Sequence, residues 1–185
     1  MNPIITLLLL VLLLALAIYV IFRVRSDYRT HGRLSGLVLI MQVVFFIGYL
    51  SASFAALSSD LAEINTGGWW FPLALILILA GLAGMVFALA ALGRGSFGRK
   101  VGALRTSGLY RFSRNPQLVS GFLLAGGYAL LWPSWTGALW LVLYLMIAHL
   151  MALAEETHLE NVYSQEYRDY RARTPRYLGL PKNKA

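Results

Sequence analysis

The chain has 185 residues, of which 58% are hydrophobic and only 13% charged, with no cysteine and a formal net charge of +8. A soluble domain is nearer half apolar and a quarter charged, so this is the composition of a membrane protein. The missing thiols exclude disulfides, thiolate metal sites and a cysteine nucleophile.

Pro3 to Phe22 is an unbroken apolar run of about twenty residues, enough to cross a hydrocarbon core roughly 30 Å thick. No basic stretch precedes it and no small-residue cleavage site follows, so it reads as a retained helix rather than a signal peptide. The basic loop Arg23 to Arg33 leads to a second apolar span, Gly36 to Leu57, whose few polar residues are Gln42, Ser51 and Ser53. Ser58 to Gly68 is a polar turn closed by a glycine pair. Trp69-Trp70-Phe71-Pro72 opens a third span reaching about Leu92, and such an aromatic cluster suits the headgroup level of a bilayer. Gly81 and Gly84 within that span are small enough to admit another helix closely.

A long polar connection, Gly93 to Asn115, comes next. It includes Gly93-Arg-Gly-Ser-Phe-Gly98, which matches G-x-G-x-x-G. A dinucleotide site needs that pattern between a strand and a helix. Here it follows an apolar helix, where glycine is an ordinary terminator. Pro116 to Trp132 is apolar but short, Pro133-Ser134 interrupts it, and Thr136 to Ala154 is apolar again. Two helices joined by so tight a turn predict an antiparallel hairpin. The expected fold is therefore all-α: a polytopic membrane protein with about five transmembrane helices and a polar helical C-terminal tail.

The charges support that count. All 16 basic residues lie in three clusters, Arg23 to Arg33, Arg94 to Arg114 and Arg168 to Lys184. Five spans place all three on one side, opposite Asp60 and Glu63. The positive-inside rule then puts the N-terminus outside and the C-terminal tail in the cytoplasm. The +8 charge reflects topology and attraction to anionic headgroups, and no nucleic-acid partner is expected.

Two polar patches carry candidate chemistry. The first is the loop Thr106 to Gln117. Gly108 permits a turn there, Pro116 suits the first position of a helix, and the N–H groups near Asn115 to Val119 suit an anion such as a carboxylate, with Arg114 adding charge. A basic loop lying on lipid headgroups is the plainer alternative. The second patch is Glu155-Glu156, directly after an apolar run, where mutual repulsion and partial desolvation disfavour ionisation. At a helix end these acids would oppose the dipole. The spacing Glu155, Glu156, Leu159, Glu160, Tyr163, Tyr167 predicts instead that the helix continues through them. Glu155 and His158 form an E-x-x-H spacing, but di-iron sites need two such motifs and further carboxylates, so no metal is expected. His149, inside the last apolar segment, either bonds a neighbouring helix or lines a substrate cavity.

Gly108-Leu109-Tyr110, then Ser113-Arg114-Asn115-Pro116-Gln117, then Glu155-Glu156 and a tail with Tyr163, Tyr167, Tyr170 and Pro175-Arg176 resemble the isoprenylcysteine carboxyl methyltransferase and phospholipid methyltransferase family. The resemblance covers about Gly93 to Leu178. It implies an integral-membrane enzyme using S-adenosylmethionine, with a methyltransferase-like core at 69–185 and an accessory transmembrane hairpin at 1–68. It implies that Gly108, Leu109, Tyr110, Arg114, Asn115, Pro116, Gln117, Glu155, Glu156, Tyr167 and Tyr170 line the cofactor site. Arg173 and Glu156 are the implied catalytic residues, and Arg176 helps close the site. The acceptor would be lipophilic or a small amphipath, isoprenylcysteine carboxylate-like or phospholipid-like, entering from the bilayer.

The chain departs from the family pattern at Asn115, where histidine is usual, at Leu118 and Ser120, and at Tyr163-Ser164 in place of Phe-Gly. Asparagine still donates a hydrogen bond but does not titrate. A similar C-terminal hairpin and tail occur in membrane sterol reductases, which would imply NADPH. A non-enzymatic membrane scaffold is the third reading.

Overall fold

A computed structural model describes residues 3–32, 34–58, 66–92 and 103–182. The expected Gly93 to Gly98 motif and the Asp60 and Glu63 loop lie outside these. Five α-helices and one 3-10 turn account for the described fold: α1 (Pro3–His31), α2 (Gly36–Ser58), α3 (Trp70–Leu92), the turn Gly108–Arg111, α4 (Pro116–Leu131) and α5 (Trp135–Arg173). No strand occurs among the described residues. α1, α2, α3 and α5 are long and apolar enough to cross a membrane. α4 has 16 residues, about 24 Å of helix, and is shorter than the hydrocarbon core.

α5 decides the shape of the site. Its 39 residues extend about 58 Å, roughly twice the apolar thickness of a bilayer. The apolar part ends at Ala154, so the second half projects beyond the hydrocarbon and carries Glu155-Glu156 in mid-helix, as the spacing predicted. Ser134 caps its start by accepting a hydrogen bond from the Gly137 amide at 3.0 Å. Near its end Ser164 takes φ 48° and ψ −113°, a conformation that favours glycine. The helix breaks there and resumes in a new direction to Arg173.

α4 and α5 form the expected hairpin, and α3 packs along α4. A Cβ at Gly81 would stand 2.7 Å from the Ser120 carbonyl oxygen, and one at Gly84 would meet the Ser120 hydroxyl. The small residues bring these two helices together as predicted, with Gly127 doing the same against Ala74 and Ile78. On the other side, α1 and α2 share one core with α5, in which Ala17, Val20, Phe45, Tyr49, Trp140 and Ile147 are buried. Tyr49 spans this core by donating its hydroxyl proton to the Trp140 carbonyl. Ile4, Leu8 and Leu12 of α1 and Ile76, Leu79 and Phe87 of α3 stay exposed. Those faces suit lipid.

Candidate functional site

The loop before α4 and the tail after α5 are bonded to each other through their backbones. The Arg114 amide donates to the Pro175 carbonyl at 3.0 Å, and the Gly179 amide to the Phe112 carbonyl at 3.1 Å. Gly108 enters the loop with φ +63°, which glycine adopts freely. The 3-10 turn that follows buries Tyr110. The Tyr170 hydroxyl donates to the Tyr110 carbonyl at 2.7 Å, while the Tyr110 hydroxyl donates to Gln117 Oε1 at 3.3 Å. Burial, then nearby Glu155 and Tyr170, holds the Tyr110 phenol above its ordinary pKa.

Glu156 lies at the centre of this junction. Arg114 Nη1 meets Glu156 Oε1 at 3.0 Å, with the two side chains only 8% and 7% exposed. Arg176 approaches from the tail with two parallel hydrogen bonds, Nε to Oε1 at 2.8 Å and Nη2 to Oε2 at 3.0 Å. Such bidentate, charge-assisted contacts are among the stronger polar interactions in proteins. The Glu156 hydrogen bonds are the main cause raising Arg176 above its ordinary value. Arg114 Nη1 also donates to the buried Tyr167 hydroxyl at 3.3 Å. One carboxylate thus joins a loop cation, a tail cation and, through Arg114, the last turns of α5.

Asn115, the departure from the pattern of the resembling family, is 2% exposed. Its Nδ2 donates to the Arg176 carbonyl at 3.1 Å, so Asn115 holds the residue that grips Glu156. Pro116 occupies the first turn of α4 as predicted. The N–H groups expected to be free there are mostly occupied: Asn115 N bonds Ser113 Oγ, and Leu118 N and Val119 N both bond the Asn115 carbonyl. Proline has none, which among the described residues leaves the Gln117 amide. The helix start tightens onto its own cap, so it offers an anion less than the sequence suggested.

Glu155 is different. Successive residues of a helix point about 100° apart, so it faces away from the arginines that hold Glu156. Among the described residues it has no hydrogen-bond or ion-pair partner. Burial, then the neighbouring Glu156 charge, pushes its carboxyl up to about 7. A partly buried, unpaired carboxyl so perturbed is a mark of functional sites.

The structure brings Tyr110, Arg114, Asn115, Pro116, Gln117, Glu155, Glu156, Tyr167 and Tyr170 to one junction. Gly108 and Leu109 are at its exposed edge. Arg173 is not brought in: it is exposed and its Nε bonds the Asp169 carbonyl one turn back. Arg176, three residues on, takes the place beside Glu156. A cleft of about 270 Å³ opens beside this pair, lined by Leu153, Glu156, Thr157, Glu160, Asn161, Arg171 and Arg176. Thr157, Asn161 and Arg171 were not anticipated, although their helical spacing from Glu156 and Glu160 was available as a signal. His149 Nδ1 lies 2.7 Å from the Tyr177 hydroxyl, so its partner is the tail after α5 rather than a neighbouring helix. His158 stacks face to face on Tyr28 of α1, with ring centres 3.7 Å apart. No group of three or more metal-ligating side chains occurs among the described residues.

In comparison with known proteins, the model of a family described as phospholipid methyltransferase matches residues 69–166. No curated protein and no solved structure matches the chain.

Proposed function

The chain belongs to the phospholipid methyltransferase family, and from that premise we propose that it is an integral-membrane, S-adenosylmethionine-dependent methyltransferase acting on a lipophilic or small amphipathic acceptor. The observation that carries this reading is the unequal state of two adjacent carboxylates. Glu156 is held by Arg114 and Arg176, whereas Glu155 has no partner at the same junction among the described residues.

The donor set fits the cofactor. A free carboxylate suits its amine or sulfonium, and the Gln117 amide its carboxylate. When bound, the cofactor supplies an activated methyl group for in-line displacement. The protein's share of that chemistry is mainly proximity and orientation. Glu156, clamped from both sides, fixes the loop and tail and so sets the height of Glu155 relative to the bilayer. Leu153, the apolar side chain lining the cleft, suits an acceptor arriving laterally between helices.

The basic clusters favour a cytoplasmic site and tail with the N-terminus outside. The isoprenylcysteine-like and phospholipid-like acceptors both fit a bilayer entry. Calorimetric titration of the purified full chain with S-adenosylmethionine tests the reading. Saturable binding that Glu155→Gln weakens at least about tenfold is expected from loss of a charge-assisted contact. Absence of binding to folded wild-type protein would overturn it.

A further inference from the structure

The residues that surround Glu155 do not all come from the family-matched segment, which begins at residue 69. Tyr28 belongs to α1, six residues past the end of the apolar run, and its ring lies parallel to that of His158 at an interplanar angle of 6°. His158 follows Glu155 by three residues on α5, and residues so spaced share a helix face. The stack therefore places Tyr28 over the face of α5 that carries the unpaired carboxylate. Electrostatics agree with this placement: after burial, the Glu155 charge is what raises the Tyr28 phenol above its ordinary value. Tyr110, from the loop, feels the same carboxylate. Burial keeps the His158 imidazole below its ordinary pKa, so the stacked ring adds no positive charge at neutral pH.

A carboxylate on the helix face that carries a tyrosine stacked on a neutral imidazole is a chemical match for an onium cation, whose diffuse charge is attracted by aromatic faces. We infer that Tyr28 of helix α1 completes the binding site, forming with Glu155 a corner selective for the positively charged sulfonium. This rests on the proposed methyltransferase reading and adds two things to it. The N-terminal helix is part of the binding unit, and the corner discriminates between the cofactor before and after methyl transfer. S-Adenosylmethionine carries the sulfonium charge, while S-adenosylhomocysteine is neutral at sulfur. Weaker binding of the neutral product would then assist its release.

The test is equilibrium binding of both compounds to the full chain in lipid nanodiscs. Wild-type protein should bind S-adenosylmethionine more tightly than S-adenosylhomocysteine. Tyr28→Leu should reduce that ratio by about 3- to 10-fold, the range of a cation–π contact. Tyr28→Trp keeps the stack and a better cation-binding face, and should hold or raise the ratio. It serves as the deciding variant if the leucine protein does not fold. An unchanged ratio in Tyr28→Leu, a lowered ratio in folded Tyr28→Trp, or equal wild-type affinities would each overturn the inference while leaving the cofactor assignment standing. Failure of wild-type protein to bind either compound would overturn both.

Discussion

Exchanging the two adjacent carboxylates for amides, one at a time, should have opposite effects on stability. In Glu155 the carboxyl is pushed from an ordinary 4.5 up to about 7, first by burial and then by Glu156. Between those values the native protein binds more protons than the unfolded chain. Stability is therefore fully present below 4.5 and declines as pH rises to about 7, then levels off. Each tenfold change in a group's proton affinity corresponds to about 1.4 kcal/mol. Partial solvent access at Glu155 reduces the resulting cost to about 1–2 kcal/mol near pH 8. Glu155→Gln removes the group that carries this cost. The variant should match wild type below about pH 4.5 and exceed it by about 1–2 kcal/mol near pH 8, while losing cofactor affinity.

Glu156→Gln acts in the opposite direction. Arg114 is 8% exposed and its Nε already lacks a partner among the described residues, so removing the facing charge leaves a buried guanidinium uncompensated. Breaking such a pair costs about 3–5 kcal/mol. Thermal unfolding of both variants in detergent micelles over a pH series, with cofactor titration at each pH, separates the two roles. A Glu155→Gln gain that does not grow with pH would refute the reasoning, as would a Glu156→Gln protein as stable as wild type.

Three further outcomes follow from local geometry. Ser164→Gly should raise the melting temperature, because φ 48° and ψ −113° strain a residue with a Cβ by about 1–3 kcal/mol. Gly127→Ala should lower it by several degrees, since the added methyl would stand 2.9 Å from the Ala74 carbonyl oxygen and force α3 and α4 apart, at a cost of about 1–3 kcal/mol. Asn115→Ala, by removing the amide that holds the Arg176 carbonyl, should cost about 1–3 kcal/mol and speed limited proteolysis of the tail; unchanged proteolysis would count against the clamp.

The fold was largely legible because membrane spans are written in long apolar runs. Gly81 and Gly84 announced the contact that α3 makes with Ser120 of α4. The continuation of α5 through Glu155-Glu156 was legible too, from helical spacing and the unfavourable placement of acids at a helix end. The break at Ser164 was not, because serine carries no backbone signal for positive φ; only the Phe-Gly pattern of the resembling family marked the position. The geometry of the tail's return was not legible in the same way. Its backbone bonds, Arg114 to Pro175 and Gly179 to Phe112, depend on no particular side chain, so the resemblance brought Arg173 and Arg176 alike to the site, and only the fold separates Arg176 on Glu156 from Arg173 on the Asp169 carbonyl.

The replacement of the family's histidine by Asn115 now has a physical reading. Asn115 faces the tail, and the contact it makes is a donated hydrogen bond to the Arg176 carbonyl at 3.1 Å. A neutral imidazole can also donate one such bond, so either residue can make this contact. Arg176 in turn holds Glu156, and Glu156 fixes the rotation of α5 at this level. A neighbouring residue on a helix lies about 100° away, so Glu155 is turned out of the arginine cluster by the same contacts that bury Glu156. The pair works as a unit: one carboxylate is neutralised to assemble the loop and tail, and this leaves the other unpaired beside them. A single glutamate could be clamped or free, but not both.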